Sequence, residues 1–152
     1  MGMPSVTQAT KERRGRSQEL VDKMVAERTE MLVIFCRLAG VEPYPATKPV
    51  QKLLQGFCQI LVDYIAAGHF ALYERIVEGT ERRREIQDLA SQLYPRIAET
   101  TDDALNFNDK YDCEDHCIAL GTLSADLSHL GEILAERIEL EDQLIRALVR
   151  RA

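Results

Sequence analysis

The 152 residues are 45% hydrophobic, which suits one compact domain with a substantial core. Nineteen basic residues against 25 acidic ones leave a formal charge of −6, which disfavours direct binding to a nucleic-acid backbone and favours a basic partner, most simply a basic protein surface. Cys36, Cys58, Cys113 and Cys117 show neither disulfide-framework spacing nor a signal peptide ahead of them, and no apolar run reaches the roughly 18 residues that span a bilayer. A reduced, cytoplasmic setting with no membrane span is expected.

Residues Gly2 to Ser17 are polar and locally basic, with Lys11, Arg13, Arg14 and Arg16 against Glu12, and they offer no apolar face. Residues 1–16 therefore read as a basic tail, and residues 17–152 as a helical domain. From Ser17, a plausible N-cap, Leu20, Met24, Met31, Phe35 and Leu38 recur at helical spacing, and Gly40 supplies the stop. Three prolines between Val41 and Pro49 exclude helix or central strand there and mark a crossing loop.

Val50, Leu53, Leu54, Phe57, Ile60, Leu61 and Tyr64 set the stripe of a second helix that leads into FCQILVDYIAAGHFALYERI, Phe57 to Ile76. Between Phe57 and Ala67 only Gln59 and Asp63 are strongly polar, so this helix must be covered on most sides and reads as the central strut. Gly68 then interrupts it. Glycine in a helix interior costs about 1 kcal/mol relative to alanine, which predicts a break or bend before Phe70. Just past that point His69, Glu74 and Arg75 stand among Phe70, Leu72, Tyr73 and Ile76, a dense group of titratable residues for so apolar a stretch.

Glu78 to Asp88 is a mixed-charge stretch in which Glu78, Glu81, Glu85 and Asp88 offset Arg82, Arg83 and Arg84, with no aromatic platform for RNA; it reads as a solvated loop and helix start. Ile86, Leu89, Leu93, Ile97, Ala104, Phe107 and Tyr111 keep one stripe across Pro95, which predicts a long helix kinked there. Glu99 to Asp115 holds seven acidic residues and one lysine, an attractive field for a cationic partner.

A last helix is expected from about Ile118 to Val149, with Leu120, Leu123, Leu127, Leu130, Leu134, Ile138, Ile145 and Leu148 on one face. At about 100° per residue, Glu132, Glu136 and Glu139 fall opposite this stripe, whereas Arg137 and Glu141 fall near its middle and, four apart, can face one another. A buried pair of this kind contributes little net stability, yet removing one partner costs about 3 to 5 kcal/mol. The expectation is a polar cluster inside the bundle, joined by His69, Glu74 and Arg75 from the bent segment.

LVDYIAAGHFALYERI, together with the later LSHLGEILAERIELEDQLI, resembles the Rsd/AlgQ family of bacterial regulators that bind the housekeeping sigma factor of RNA polymerase. The likeness covers most of the chain from Leu20 onward. It implies an all-α bundle without catalysis or cofactor, which sequesters the DNA-binding C-terminal domain of the primary sigma factor. It also implies partner contacts at Asp63, Phe70 and Ala71.

Other chemistries fit less well. A histidine beside a buried carboxylate suggests acid–base work, but no nucleophile, phosphate loop or oxyanion arrangement accompanies it. Cys113, His116 and Cys117 have zinc or iron ligand chemistry but lack a second ligand pair, so no metal is assigned. The alternative from another class is a histidine phosphotransfer module; against it, Phe70 and Tyr73 follow His69 and Glu132 follows His129, where a phosphoryl group needs cationic or small neighbours. The residues together predict an all-α, single-domain helical bundle with bent or kinked central helices and a buried polar cluster. It is expected to be monomeric when free and to bind sigma factor rather than DNA or membrane.

Overall fold

The computed structural model describes residues 6–41, 48–74, 83–111 and 120–149. Among them there is no strand. Four helices, α1 (Val6–Ala39), α2 (Lys48–Gly68), α3 (Arg84–Tyr111) and α4 (Leu123–Val149), form the bundle; a π-helical turn, His69–Tyr73, prolongs α2, and a 3-10 turn, Leu120–Thr122, leads into α4. No described helix is long and apolar enough to cross a membrane.

Packing follows the apolar stripes. Helix α1 packs chiefly on α2 and α4 on α3, α2 bridges to α3, and the π turn touches both α1 and α4. Met24, Met31 and Leu38 of α1 meet Leu54, Phe57, Leu61 and Tyr64 of α2, Ile97, Ala104 and Phe107 of α3, and Leu123, Leu127, Leu130 and Leu134 of α4. Aromatic rings link three helices at one level of this core. Phe57 lies 5.9 Å from Phe35 and 5.8 Å from Phe107, edge-on in the second case, and Phe107 lies 4.7 Å from Tyr111, within the range where such pairs add to plain area burial. Gly131 lets α1 close on α4, since a Cβ there would stand 3.0 Å from Phe35 Cζ.

Three features depart from simple periodicity. Helix α1 begins at Val6, not at the expected Ser17 N-cap, so the backbone of residues 6–16 is helical. Leu20, expected in the stripe, is exposed. Helix α3 runs through Pro95, whose missing N–H leaves the Ser91 carbonyl without its i+4 partner on an exposed side of the helix. The stop after α1 is as expected, with Gly40 N donating to Cys36 O at 3.0 Å and Val41 N to Leu38 O at 3.2 Å. Most of the proline loop, Arg75, the start of the arginine run and the segment containing Cys113, His116 and Cys117 lie outside the described residues.

Candidate functional site

The interior of the bundle is not uniformly apolar. Arg137 is 1% exposed and Glu141 0%, and Arg137 Nε lies 3.4 Å from Glu141 Oε2. Burying an ion costs several kcal/mol even after relaxation, so such charges persist only when most of their polar atoms are satisfied; here Arg137 Nε and Arg28 Nε alone among the described buried side-chain atoms lack a hydrogen-bond partner. Glu141 is satisfied from three sides. Tyr64 donates its hydroxyl to Oε1, Tyr73 donates to Oε2 at 3.2 Å, and Arg28 Nη2 donates to Oε1 at 3.4 Å. Arg28 also donates through Nη1 to Asp142 Oδ1 at 2.8 Å, at the edge of the cluster.

Arg137 is held by α3. Its Nη1 donates to Thr101 Oγ1 at 2.6 Å, to Thr100 Oγ1 at 3.2 Å and to the Ile97 carbonyl at 3.4 Å. The guanidinium carbon sits 5.8 Å from the Tyr64 ring centre and 5.9 Å from that of Tyr73, inside cation–π range of both. The two phenols therefore serve the pair twice, with their faces toward the cation and their hydroxyls toward the carboxylate. Burial first, and then the Glu141 charge, pushes both above the ordinary phenol value. Burial works to lower the Arg28 guanidinium, but Asp142, Tyr64 and Glu141 outweigh it and the net direction is upward.

Gly68 makes room for this arrangement. A Cβ at Gly68 would lie 3.0 Å from Glu141 Oε2 and 3.6 Å from both Arg137 Nη2 and Met24 Sδ, so the carboxylate approaches the α2 backbone where a side chain would stand. Immediately beyond, the helix widens, with the Glu74 N–H bonding to His69 O in the i→i+5 pattern of a π turn. The break expected at Gly68 takes this form.

The membership of the cluster differs from the expectation. His69 is corrected: it is exposed on the outside of the π turn, its ring 5.3 Å from Phe70 and edge-on, being about 100° around the axis from buried Gly68, while Ala71, Leu72 and Tyr73 are the buried residues of the turn. Glu74 is half-buried at the end of the turn and is joined to the cluster by none of its described contacts. Arg28, Tyr64, Tyr73, Thr100 and Thr101 fill the positions that His69, Glu74 and Arg75 were expected to fill. Outside the stripe of α4, Glu132 and Glu139 are exposed, while Glu136 takes Arg96 in a two-pronged pair at 2.6 Å and 2.6 Å. The Arg96 bonds hold the Glu136 carboxyl below its usual range.

On the surface, Asp63 is exposed and accepts from Gln59 Nε2 at 3.2 Å, and Phe70 is 55% exposed, more than any other large apolar side chain described. They are seven positions apart, about 10 Å along the axis at 1.5 Å per residue. Ala71 is 2% exposed and packs inward, so the expected side-chain contact there is corrected to a core position. A separate cleft of about 180 Å³ between α3 and α4 is lined by Asp103, Asn106, Lys110, Tyr111, Asp126 and His129 among others. Two of its charges are matched to one another: Lys110 Nζ lies 2.7 Å from Asp126 Oδ2, which also accepts from Tyr111. The Lys110 bond first, then Tyr111, lowers the Asp126 carboxyl.

Charges sealed in the middle, with Phe70 and Asp63 exposed outside, describe an all-α helical bundle with a buried polar cluster. Comparison with known proteins makes this specific. The chain belongs to the Rsd/AlgQ family, whose model, described as regulator of the RNA polymerase sigma(70) subunit, matches residues 3–149. It is 35% identical to the protein named regulator of sigma D from Yersinia enterocolitica over 142 residues, covering 89% of this chain and 83% of the relative. It is 36% identical to that of Salmonella arizonae over 138 residues, covering 88% and 84%, and 35% identical to that of Yersinia pestis over 142 residues, covering 89% and 82%. No solved structure matches. The family is one of sigma-factor regulators, not of enzymes, and the histidine phosphotransfer alternative gains no support from it.

Proposed function

We propose that this protein regulates transcription by holding the C-terminal, DNA-binding domain of the primary sigma factor on the corner formed by Asp63 and Phe70, thereby blocking promoter and core polymerase engagement. The observation that carries the reading is the pairing of a 55% exposed Phe70 with an exposed carboxylate on a chain of net charge −6. A domain that grips DNA phosphates must present cations, and an acidic bundle can cover that surface in place of promoter. Phe70 supplies the apolar anchor that such an interface needs at its centre, and Asp63 a charge at its rim. The inhibition is steric, and the free protein is read as a cytoplasmic monomer that makes no contact with nucleic acid.

The test is direct titration of the protein with primary sigma factor, intact and lacking its C-terminal domain. A stoichiometric complex is expected with the intact factor alone. Phe70→Ala should weaken it about 30-fold, the cost of losing one anchor. Asp63→Lys should weaken it about 5-fold and reduce its sensitivity to salt. Absence of any complex at micromolar concentration, or equal binding without the C-terminal domain, overturns the reading.

A further inference from the structure

Phe70 is the second residue of the π turn, and the three residues after it, Ala71, Leu72 and Tyr73, are all buried. Regular helix cannot bury three residues in succession at this point. At about 100° per residue, Tyr73 would stand roughly 140° around the axis from Gly68, facing away from the core stripe. The i→i+5 turn lags behind that rotation, and Tyr73 faces inward instead. What waits for it there is specific: Glu141 Oε2 at 3.2 Å from its hydroxyl, the Arg137 guanidinium 5.9 Å from its ring, and the Tyr94 ring 5.9 Å away on the other helix pair. The turn and the Tyr73 hydrogen bond therefore require one another. The outer surface of the turn consists of His69 and Phe70; Phe70, about 200° around the axis from Gly68 at regular spacing, faces outward in either geometry, and the turn sets where its ring stands along and around the axis.

We infer that Tyr73, hydrogen-bonded to Glu141, is a positioning residue for the docking corner: it holds the π turn whose outer side presents Phe70. The inference rests on the reading that Phe70 contacts sigma factor. Tyr73 touches no partner, and its action passes through the turn. Glu141 has two tyrosine donors, and they separate positioning from mere stability. Tyr64 serves the same carboxylate from regular α2, several residues before the turn. Loss of either hydroxyl perturbs the cluster, but only loss of the Tyr73 hydroxyl releases the turn.

The experiment uses the full chain as wild type, Tyr73→Phe, Tyr64→Phe, Phe70→Ala and the Tyr73→Phe/Phe70→Ala double variant, each titrated with intact primary sigma factor. Amide exchange over residues 70–74 is followed in parallel. Tyr73→Phe should bind about 2- to 30-fold more weakly, the range for a residue that couples to a site without touching it, whereas Tyr64→Phe should bind like wild type. Exchange in the turn should quicken about tenfold in Tyr73→Phe, equivalent to one hydrogen bond to a charged group, and remain unchanged in Tyr64→Phe. In the Phe70→Ala background Tyr73→Phe should weaken binding no further, because the side chain it positions is gone. Wild-type affinity in Tyr73→Phe, equal effects of the two tyrosine variants, or additive losses in the double variant would each overturn the inference while leaving Phe70 as a contact. Failure of the wild-type protein to bind sigma factor, or wild-type affinity in Phe70→Ala, would instead sink the docking reading on which it rests.

Discussion

Replacing Glu141 by alanine tests the interior most sharply. The substitution leaves Arg137, which is 1% exposed, and the largely buried Arg28 facing each other across an empty site, with the Tyr64 and Tyr73 hydroxyls without their acceptor. An orphaned buried charge costs about 3 to 5 kcal/mol. Each orphaned hydroxyl taken alone would cost about 1 to 3 kcal/mol, but the groups share one network and their losses do not add. The expected loss is therefore about 3 to 5 kcal/mol, a large part of the roughly 5 to 15 kcal/mol that holds a domain of this size folded. At about 2 to 4 °C per kcal/mol, the thermal midpoint should fall by roughly 6 to 20 °C.

Urea and thermal unfolding, followed by circular dichroism, measure this directly. Glu139→Ala, on the exposed side of the same helix, is the internal control and should stay within about 0.5 kcal/mol of wild type. An apolar replacement of both ends of the pair, Arg137→Met with Glu141→Leu, should recover at least half of the loss, because filled apolar space is tolerated where an unpaired charge is not. A Glu141→Ala midpoint indistinguishable from that of Glu139→Ala would refute the reasoning, since it would mean that the two arginines find other compensation at no cost.

Two further outcomes follow from the same neighbourhood. Gly68→Ala should destabilise although alanine is the better helix former by about 1 kcal/mol, since its Cβ would meet a carboxylate at 3.0 Å that is held by two tyrosines and two arginines; Gly56→Ala, with nothing within 4 Å, should stabilise by about 0.5 to 1 kcal/mol in the same denaturation assay. The Tyr64 and Tyr73 phenols are raised above 10.0 in the folded state by burial and by Glu141, so their contribution to stability is complete below pH 10.0 and is lost as pH climbs from there toward their folded values. Phenolate absorbance should show these two ionising only together with unfolding, and a reversible titration of either near pH 10.0 in the intact fold would contradict their burial.

How much of this was legible in the sequence depends on what each residue answers to. The stripe of α4 and the rotation that puts Arg137 and Glu141 within it are local properties of one regular helix, and an apolar period of about 3.6 residues suffices to read them. The same rotation applied to α1 places Arg28 between Met24 and Met31, in a stripe that is otherwise apolar, and that signal was present for the reading. Tyr73 was hidden for a different reason. Its orientation depends on a turn that leaves the 100° period, which would turn Tyr73 away from the core, and His69 was expected in its place because it stands among the titratable residues of that segment. Thr100 and Thr101 carry no periodic signal, and what recruits them is the guanidinium arriving from another helix. The early start of α1 reflects propagation: once the packed half of the helix is formed, each added residue needs to fix only its own dihedrals, and glutamine, lysine, glutamate and arginine accept helix readily without an apolar face.

The same cluster bears on stability and on shape through different physics. Apolar contact is nearly indifferent to rotation, so a leucine core would hold the segment after Gly68 against α1 and α4 in several registers of similar energy. A hydroxyl aimed at one carboxylate oxygen is directional and loses most of its value within a few tens of degrees. Tyr73 thus selects one rotation of the turn and contributes about one hydrogen bond to total stability, whereas Glu141, which answers two guanidiniums as well, governs whether the interior holds at all. Tyr73→Phe should accordingly alter amide exchange in the turn and sigma-factor affinity with the melting midpoint lowered by only about 3 to 6 °C, and Glu141→Ala should lower it the more. If the two substitutions instead changed affinity and stability in the same proportion, the cluster would be packing and nothing more.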